Sequence, residues 1–378
     1  MAEDGEGELD TLLLTLLSEY DLGPVEGIEA AGGTAGRTWR VTTPRGAYLL
    51  RLRGARTSSE AHLAFDHGLR AHLVAGGIPT VEAASTRRGA RWLRRQGRAY
   101  ELYPFVAGRP FDPHSRADLE GAARALAAFH RAARGYAPPP SWTQTVAQYT
   151  SLGFSERVSD RMDDPRLQLA NLIGVRGLAR TEEEARLVER CIARVRALHE
   201  TYGDEVYRRL AGYIIHGDYT PANVLYRREG EIAGVFDFDW AMRGPRCLDV
   251  AYGLCFFAAE PRRIDGADIW SLTEAGRWTV ARCAAFVRAY HDAWPLAAAE
   301  IEALPHAFCS LWLSKRLEGM AKVDPGQRFR FFARDIERPL LWMDAHWEAL
   351  RRAAFAPGGD VTFPKAAMGD AHDHDSVE

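Results

Sequence analysis

Residues 214–249 read IIHGDYTPANVLYRREGEIAGVFDFDWAMRGPRCLD, and the rest of the chain can be arranged around them. His216, Gly217 and Asp218 follow the short apolar run Tyr213-Ile214-Ile215, which puts Asp218 just past a buried element. Asn223 comes five residues later. Val224 to Tyr226 reads as a strand, Arg228-Glu229-Gly230-Glu231 as its turn, and Ile232 to Phe236 as the returning strand with Asp237 at its end. A hairpin of this length brings Asn223 and Asp237 to the same end of the pair, within reach of one hard cation. An acid, a carboxamide five residues on, and an acid at a strand end form the layout of a phosphoryl-transfer site. One carboxylate orients and deprotonates the attacking hydroxyl, while the amide oxygen and the second acid hold Mg²⁺ on nucleotide phosphates. A polar turn capped by a strand-end aspartate would explain each residue singly, but not the spacing.

The kinase catalytic loop is written H-R-D-x-x-x-x-N and its metal acid D-F-G; this chain reads H-G-D-x-x-x-x-N and D-F-D, in the same order. With HGDYTPAN, GVFDFDWA and CLDVAYGL it resembles the aminoglycoside phosphotransferase and choline kinase superfamily. Homoserine kinases of the second type and bacterial stress-response kinases share that superfamily. The resemblance implies an α+β, two-lobed protein-kinase-like fold with a small antiparallel-sheet N-lobe and a larger helical C-lobe. It implies Asp218 as catalytic base, Asn223 and Asp237 as magnesium ligands, and His216 as the residue that positions the loop. Asp249 resembles the buried acid that braces this loop from the start of the next helix. Asp239 is grouped with the metal site, either behind the ligands or as a strand-end acid alone.

Upstream, leucines at 9, 12, 13, 16 and 17 mark an amphipathic first helix. Val25 to Ala30 and Arg37 to Thr43 read as strands around a glycine-rich turn whose Gly33, Thr34 and Gly36 are candidates to cover the nucleotide phosphates. Ala47 to Arg53 is the next strand. In kinases it carries a phosphate-binding lysine, yet no lysine precedes Lys315. Arg51 is the candidate replacement, because the stretch resembles the YVLRL of relatives that use arginine there. Arg53 shares its face by the period of two and is the alternative. Thr57-Ser58-Ser59-Glu60 opens a helix to about Val74, which should supply the acid that pairs with this cation. Resemblance of AGGIPTV to the family's AGLPVP selects Asp66 over Glu60. Val81 to Ala84, Ala90 to Arg94 and Arg98 to Phe105 complete the sheet, and Glu101 to Phe105, with Tyr103, resembles the hinge whose backbone reads the adenine edge.

The boundary between lobes falls at residues 105 and 106. Ser115 opens a helix to Ala133 in which His130 lies on the apolar side as a core histidine. Residues 142–179 read as irregular, and Thr181 caps a helix to about Tyr207. Helical stretches near Trp270–His291, Glu300–Met320 and Arg328–Arg352 finish the C-lobe, which runs to 356. Trp294, Trp312, Trp342 and Trp347 at helical spacing read as core, with an aromatic box for a cation as the alternative. Residues 357–378 turn polar and read as a disordered tail whose His372 and His374 could catch metal ions weakly.

At 378 residues, with 47% hydrophobic and 26% charged, the chain has ordinary globular composition. A net charge of −3 leaves no footprint for nucleic acid or an anionic membrane surface. No apolar run approaches the roughly 20 residues of a membrane helix, and MAEDGEGELD lacks the order of a signal peptide. Five scattered cysteines without a CxxC pair read as reduced and buried in a cytoplasmic protein. The expected activity is transfer of the γ-phosphoryl group of ATP, or of GTP, to a hydroxyl of a small molecule: an amino sugar, amino alcohol or hydroxy amino acid. A protein Ser/Thr kinase of the stress-response type and a nucleotide-binding pseudokinase scaffold are the alternatives. No Ser or Thr lies between Asp237 and Asp249 and no A-P-E follows, which argues against a peptide platform.

Overall fold

The computed structural model describes residues 2–31, 38–144, 146–150, 153–159, 161–262 and 268–356. Helix α1 (Ala2–Leu17) turns Leu13, Leu16 and Leu17 inward against a five-stranded antiparallel sheet. Its strands are β1 (Gly27–Ala30), β2 (Thr38–Thr43), β3 (Gly46–Leu52), β4 (Leu93–Arg95) and β5 (Arg98–Pro104), in the order β1-β2-β3-β5-β4. The alternation of each strand sends Trp39, Val41, Leu50, Leu52 and Leu102 into one small core with those leucines. The expected strand at Val81–Ala84 is extended chain tied to β5 by Ala84 N donating to Leu102 O at 2.7 Å. That expected at Ala90–Arg94 contracts to β4. Gly33, Thr34 and Gly36 lie outside the described residues.

Helix α2 (Glu60–Ala75) starts at Ser59, whose hydroxyl accepts from His62 N. Its apolar face does not join the sheet's core. Phe65, Leu69 and Leu73 belong to the larger core of the C-terminal region; Phe65 stacks on Trp142 with ring centroids 4.2 Å apart, and Tyr136 Oη donates to Phe65 O at 2.8 Å. The helix therefore clamps the sheet to the helical half, which fixes where β3 stands relative to the catalytic loop.

That half begins with α3 (Arg116–Ala133), capped by Ser115. Residues 142–179, expected to be irregular, hold strands β6 (Val146–Thr150) and β7 (Gly153–Ser159) and helix α4 (Pro165–Arg176). Asp164 caps α4 and Pro165 sits at its first position, a start signal the sequence reading passed over. Thr181 and Glu184 form a capping box for α5 (Glu182–Thr201), but the chain breaks at Tyr202 and restarts as α6 (Asp204–Leu210). Strand β8 (Tyr213–Ile215), hairpin β9 (Val224–Arg228) with β10 (Glu231–Val235), and β11 (Met242–Gly244) frame the decisive stretch. Then come α7 (Arg246–Phe256), α8 (Ile269–Leu272), α9 (Val280–Ala293), α10 (Ala298–Gly319), α11 (Arg328–Ala333) and α12 (Glu337–Phe355). The last two replace one expected helix, which is interrupted next to Asp335 at φ +53°.

The tryptophans form no common box. Trp312 is buried with Nε1 donating to Ile336 O at 2.9 Å, Trp342 packs on Trp278 and His346, and Trp294 lies against Arg246. Residues 357–378, with His372 and His374, lie outside the described residues. Among the described residues, no helix is long and apolar enough to cross a membrane.

Candidate active site

The loop from His216 to Asn223 is held from below by Asp249, which is fully buried in the first turn of α7. Its Oδ2 accepts from His216 N at 2.6 Å and its Oδ1 from Gly217 N at 2.9 Å. A buried carboxylate with two charge-assisted bonds to consecutive amides sets the loop's backbone firmly. His130 completes the brace: a carboxylate can only accept, so His130 donates from Nε2 to Asp249 Oδ2 at 2.9 Å, while its Nδ1 meets the Tyr290 hydroxyl at 2.8 Å. The core histidine of the sequence reading thus supports the catalytic loop, a role that its apolar helix face does not reveal. Gly217 has φ +76°, and a Cβ there would stand 2.3 Å from Trp240 O, so this position needs glycine twice over.

His216 is buried and positions rather than reacts. Its Nε2 donates to Phe236 O at 2.9 Å, which leaves Nδ1 to accept from Asp218 N at 3.3 Å. One ring therefore ties the backbone of Asp218 to the residue before Asp237. The hairpin closes as expected from its length, with Val235 opposite Val224 and Phe236 N donating to Asn223 O at 2.9 Å, so Asn223 and Asp237 share one end. Asn223 Nδ2 donates to Asp218 O at 2.8 Å and reaches Asp218 Oδ2 at 3.3 Å. Since the amide nitrogen is used in this way, Oδ1 is the atom left to serve a cation. Asp237 is in the left-handed region at φ +60°, a conformation aspartate tolerates better than most residues.

Two arginines, Arg51 in β3 and Arg53 just past its end, meet these acids. Arg51 donates from Nη1 to Asp239 Oδ1 at 3.0 Å, and from Nη2 to Asp239 Oδ2 at 2.8 Å and Asp237 Oδ1 at 3.1 Å. Arg53 is sealed: Nη1 bonds Asp66 Oδ2 at 2.5 Å and Glu101 Oε1 at 2.9 Å, Nε bonds Thr57 O at 2.8 Å, and Nη2 lies 3.1 Å from Asp239 Oδ1. The acid of α2 therefore pairs with Arg53 and, at 2.7 Å, with Arg70, and not with Arg51 as expected. Asp66 is fully buried, so it orders cations and does not face a ligand. The Glu101 side chain, also fully buried, joins the same network with His67 Nε2 at 2.8 Å and Tyr103 Oη at 3.1 Å. Any contact of this β5 stretch with a base would fall to its backbone. Both oxygens of Asp239 are taken by Arg51, Arg53 and the Thr57 hydroxyl at 3.0 Å, so it anchors the arginines and turns no oxygen toward Asn223, a correction to its place among the metal residues.

The electrostatics separate the two acids of D-F-D. Burial pushes the Asp239 carboxyl up, but Arg53 and Arg51 outweigh it and hold it at about 2. At Asp237 burial also pushes upward, the charges of Asp239 and Asp218 add to it, and Arg51 offsets only part, so its carboxyl titrates above the ordinary aspartate range. An acid crowded by two others is one that a divalent cation would relieve. The donor set fits a nucleotide-borne metal: one amide oxygen and one carboxylate, with phosphates as the remaining ligands. Among the described residues, no group of three or more His, Cys, Asp or Glu could hold a metal by itself.

The two arginines should separate cleanly on substitution. Arg51 keeps 17% of its side chain exposed in the cleft and Arg53 none. Arg51→Ala is expected to weaken nucleotide binding about 10- to 100-fold, the size of one or two lost charge-assisted bonds, with a smaller loss of melting temperature than Arg53→Ala, because Arg53 and Thr57 still hold Asp239. Arg51→Lys should restore only part, because a point charge cannot reproduce the fork. Arg53→Ala leaves Asp66 and Glu101 short of a buried partner and should cost about 3–5 kcal/mol of stability. Titration calorimetry with ATP and thermal melts on both variants check this; equal melting losses would refute the division.

The sequence matches the phosphotransferase enzyme family over residues 26–304. It is 27% identical over 301 residues to a homoserine kinase of Phenylobacterium zucineum (strain HLK1), covering 78% of this chain and 80% of that one. Among solved structures it resembles an aminoglycoside phosphotransferase from Alicyclobacillus acidocaldarius subsp. acidocaldarius DSM 446, with a TM-score of 0.59, 16% identity, and 90% and 96% of the two chains covered. It also resembles an amicoumacin kinase solved with AMP-PNP and Ca²⁺, with a TM-score of 0.58, 14% identity, and coverage of 89% and 96%. At those identities the structural likeness establishes the fold, a kinase-like arrangement of antiparallel sheet and helical half.

Proposed function

The chain belongs to the phosphotransferase enzyme family, and we propose that it transfers the γ-phosphoryl group of ATP to a hydroxyl of a small molecule with Mg²⁺ as the metal. The observation that carries this reading is the convergence of Asp218, Asn223 and Asp237 at one hairpin end, on a loop whose amides are fixed by Asp249. Asp218 orients the acceptor hydroxyl and takes its proton. Asn223 and Asp237 would hold the metal, which neutralises charge on the transferring group when bound. Arg51 meets the phosphates, while Arg53, Asp66, Glu101 and Asp239 keep it aimed.

The acceptor falls in the range of amino sugars, amino alcohols and hydroxy amino acids, which the homoserine kinase and aminoglycoside phosphotransferase relatives support. A small acceptor also suits the chain after Asp237. It makes one short turn (Phe238–Trp240), pairs β11 with β8, and enters α7 at Arg246, without room for a peptide shelf. Five cysteines, buried and unbridged, support a reducing, cytoplasmic setting.

The direct test is a panel of hydroxylated amines, amino sugars and amino acids with γ-labelled ATP or GTP, with and without MgCl₂. The expected result is acceptor-dependent and Mg²⁺-dependent label transfer, with ATP preferred and Asp218→Asn inactive. Saturable labelling of protein Ser or Thr by the wild type, with no small acceptor found, would overturn it.

A further inference from the structure

Of 48 basic residues the chain makes three lysines, Lys315, Lys322 and Lys365. The two that are described lie seven residues apart, at the end of α10 and in the helical turn that follows it. Lys315 stands beside the catalytic loop, and a chain of contacts leads to it. A Cβ on Gly217, the residue before Asp218, would come within 2.7 Å of Met162 Cε. Met162 Sδ accepts from the Tyr252 hydroxyl at 3.7 Å, and Lys315 Nζ sits 5.2 Å from the centre of the Tyr252 ring. Glu318 Oε2 is 3.1 Å from the same ammonium, and both side chains keep about a quarter of their surface open, 22% and 25%. Lys322 is exposed, and among the described residues it makes no ion pair.

The charge of this wall decides what it can receive. Burial works against the Lys315 ammonium, but Glu318, Tyr252 and Asp218 together hold it protonated. Lys322, though its side chain reaches solvent, is pushed the other way: the protein around it strips part of its hydration and the positive charge of Lys315 adds to this, Glu318 and Asp218 offset only part, and Arg56 contributes a smaller push downward. Lys315 and Lys322 stand two helical turns apart, and among the described residues Glu318 is the one carboxylate at ion-pair distance from either, so this wall carries an excess of positive charge. A polycationic amino sugar would deepen that repulsion. A carboxylate would relieve it.

Resting on the phosphotransferase reading of the site, we propose that Lys315 and Lys322 form an acceptor subsite for a carboxylate, with Glu318 beside it to take an ammonium. The acceptor is then a hydroxylated amino acid, seated with its hydroxyl at Asp218. Lys315 and Lys322 bind and orient it; neither enters the transfer.

The test compares three probes that differ in charge: L-homoserine, 3-aminopropan-1-ol, which is the same skeleton without the carboxylate, and kanamycin. Phosphate transfer from ATP is measured for wild type, Lys315→Met and Lys322→Ala. The expected result is a preference of about 10-fold or more in kcat/KM for the carboxylate probe, the effect of one unmatched charged group. Each variant should raise KM for that probe and leave KM for ATP within about two-fold. Lys322 is exposed, so its variant folds irrespective of what Lys315→Met does, and the wild-type preference needs no variant. Equal or better turnover of 3-aminopropan-1-ol or kanamycin would overturn the subsite and leave the phosphotransferase reading standing. So would a rise in KM for ATP in place of the acceptor. Absence of acceptor-dependent transfer in every class would instead refute the phosphotransferase reading, and the subsite with it.

Discussion

Asp218→Asn should turn over about 10²–10⁴-fold more slowly than the wild type while binding nucleotide within a few-fold. The substitution keeps the shape of the side chain and removes its ability to accept the hydroxyl proton. What holds the loop involves that carboxylate only through the 3.3 Å contact from Asn223 Nδ2. Asp249 bonds the amides of His216 and Gly217, His216 reaches Phe236 O, and the stronger bond of Asn223 goes to the backbone oxygen of Asp218. The variant should therefore melt at or near the wild-type temperature. Its effect on the metal acid even favours nucleotide binding, since the Asp218 charge is one of those pushing the Asp237 carboxyl upward. Turnover in a coupled assay and ATP affinity by calorimetry give the two readouts. A kcat close to wild type removes Asp218 as the base; a parallel collapse of affinity makes it part of the nucleotide site.

The catalytic loop was legible because its signal is local. Asp218, Asn223 and Asp237 are brought together by a turn and one hairpin, and register along two short strands can be counted from sequence. The cations were only half legible. Period-two alternation puts Arg51, in β3, and Arg53, just past it, on one face, but which of them is sealed depends on Asp66 from α2 and Glu101 from β5, neither of them local to the strand. The same holds for His130, whose partner Asp249 lies 119 residues away, and for Lys315, whose place over Tyr252 is set by the packing of α10 on α7. Helix α2 shows the limit most clearly. Its apolar stripe was readable, yet nothing local says that Phe65 faces Trp142 across the lobes and not the sheet beside it. Breaks within helical patterns were missed where one residue departs from helical geometry, as at Tyr202 or Asp335, because the flanking periodicity survives the break.

Asp237→Asn should lose about 10²–10³-fold or more in turnover, as expected when a preorganised electrostatic group at the transferring phosphoryl is removed, and yet make the nucleotide-free protein more stable. The sign follows from its carboxyl, which burial, Asp239 and Asp218 hold above the ordinary range despite Arg51. A carboxyl raised in the folded state contributes stability at pH below its unfolded value, and that contribution is lost as pH rises through the folded one. At neutral pH the ionised Asp237 is thus a burden on the fold, carried because the site needs its charge for the metal. Asparagine removes the burden and keeps the backbone, since it tolerates the left-handed conformation at φ +60°. The loss of one bond from Arg51 works in the opposite direction, but Arg51 retains both of its bonds to Asp239. Melting curves at neutral pH without nucleotide should show the variant above the wild type, with the gap closing as pH falls and the wild-type carboxyl protonates. Addition of Mg²⁺ and ATP should then raise the wild-type melting temperature and leave the variant's nearly unchanged. A variant that melts lower without nucleotide, or still gains full stabilisation from Mg²⁺ and ATP, would show that Asp237 is a structural partner of Arg51 and that the metal is held elsewhere.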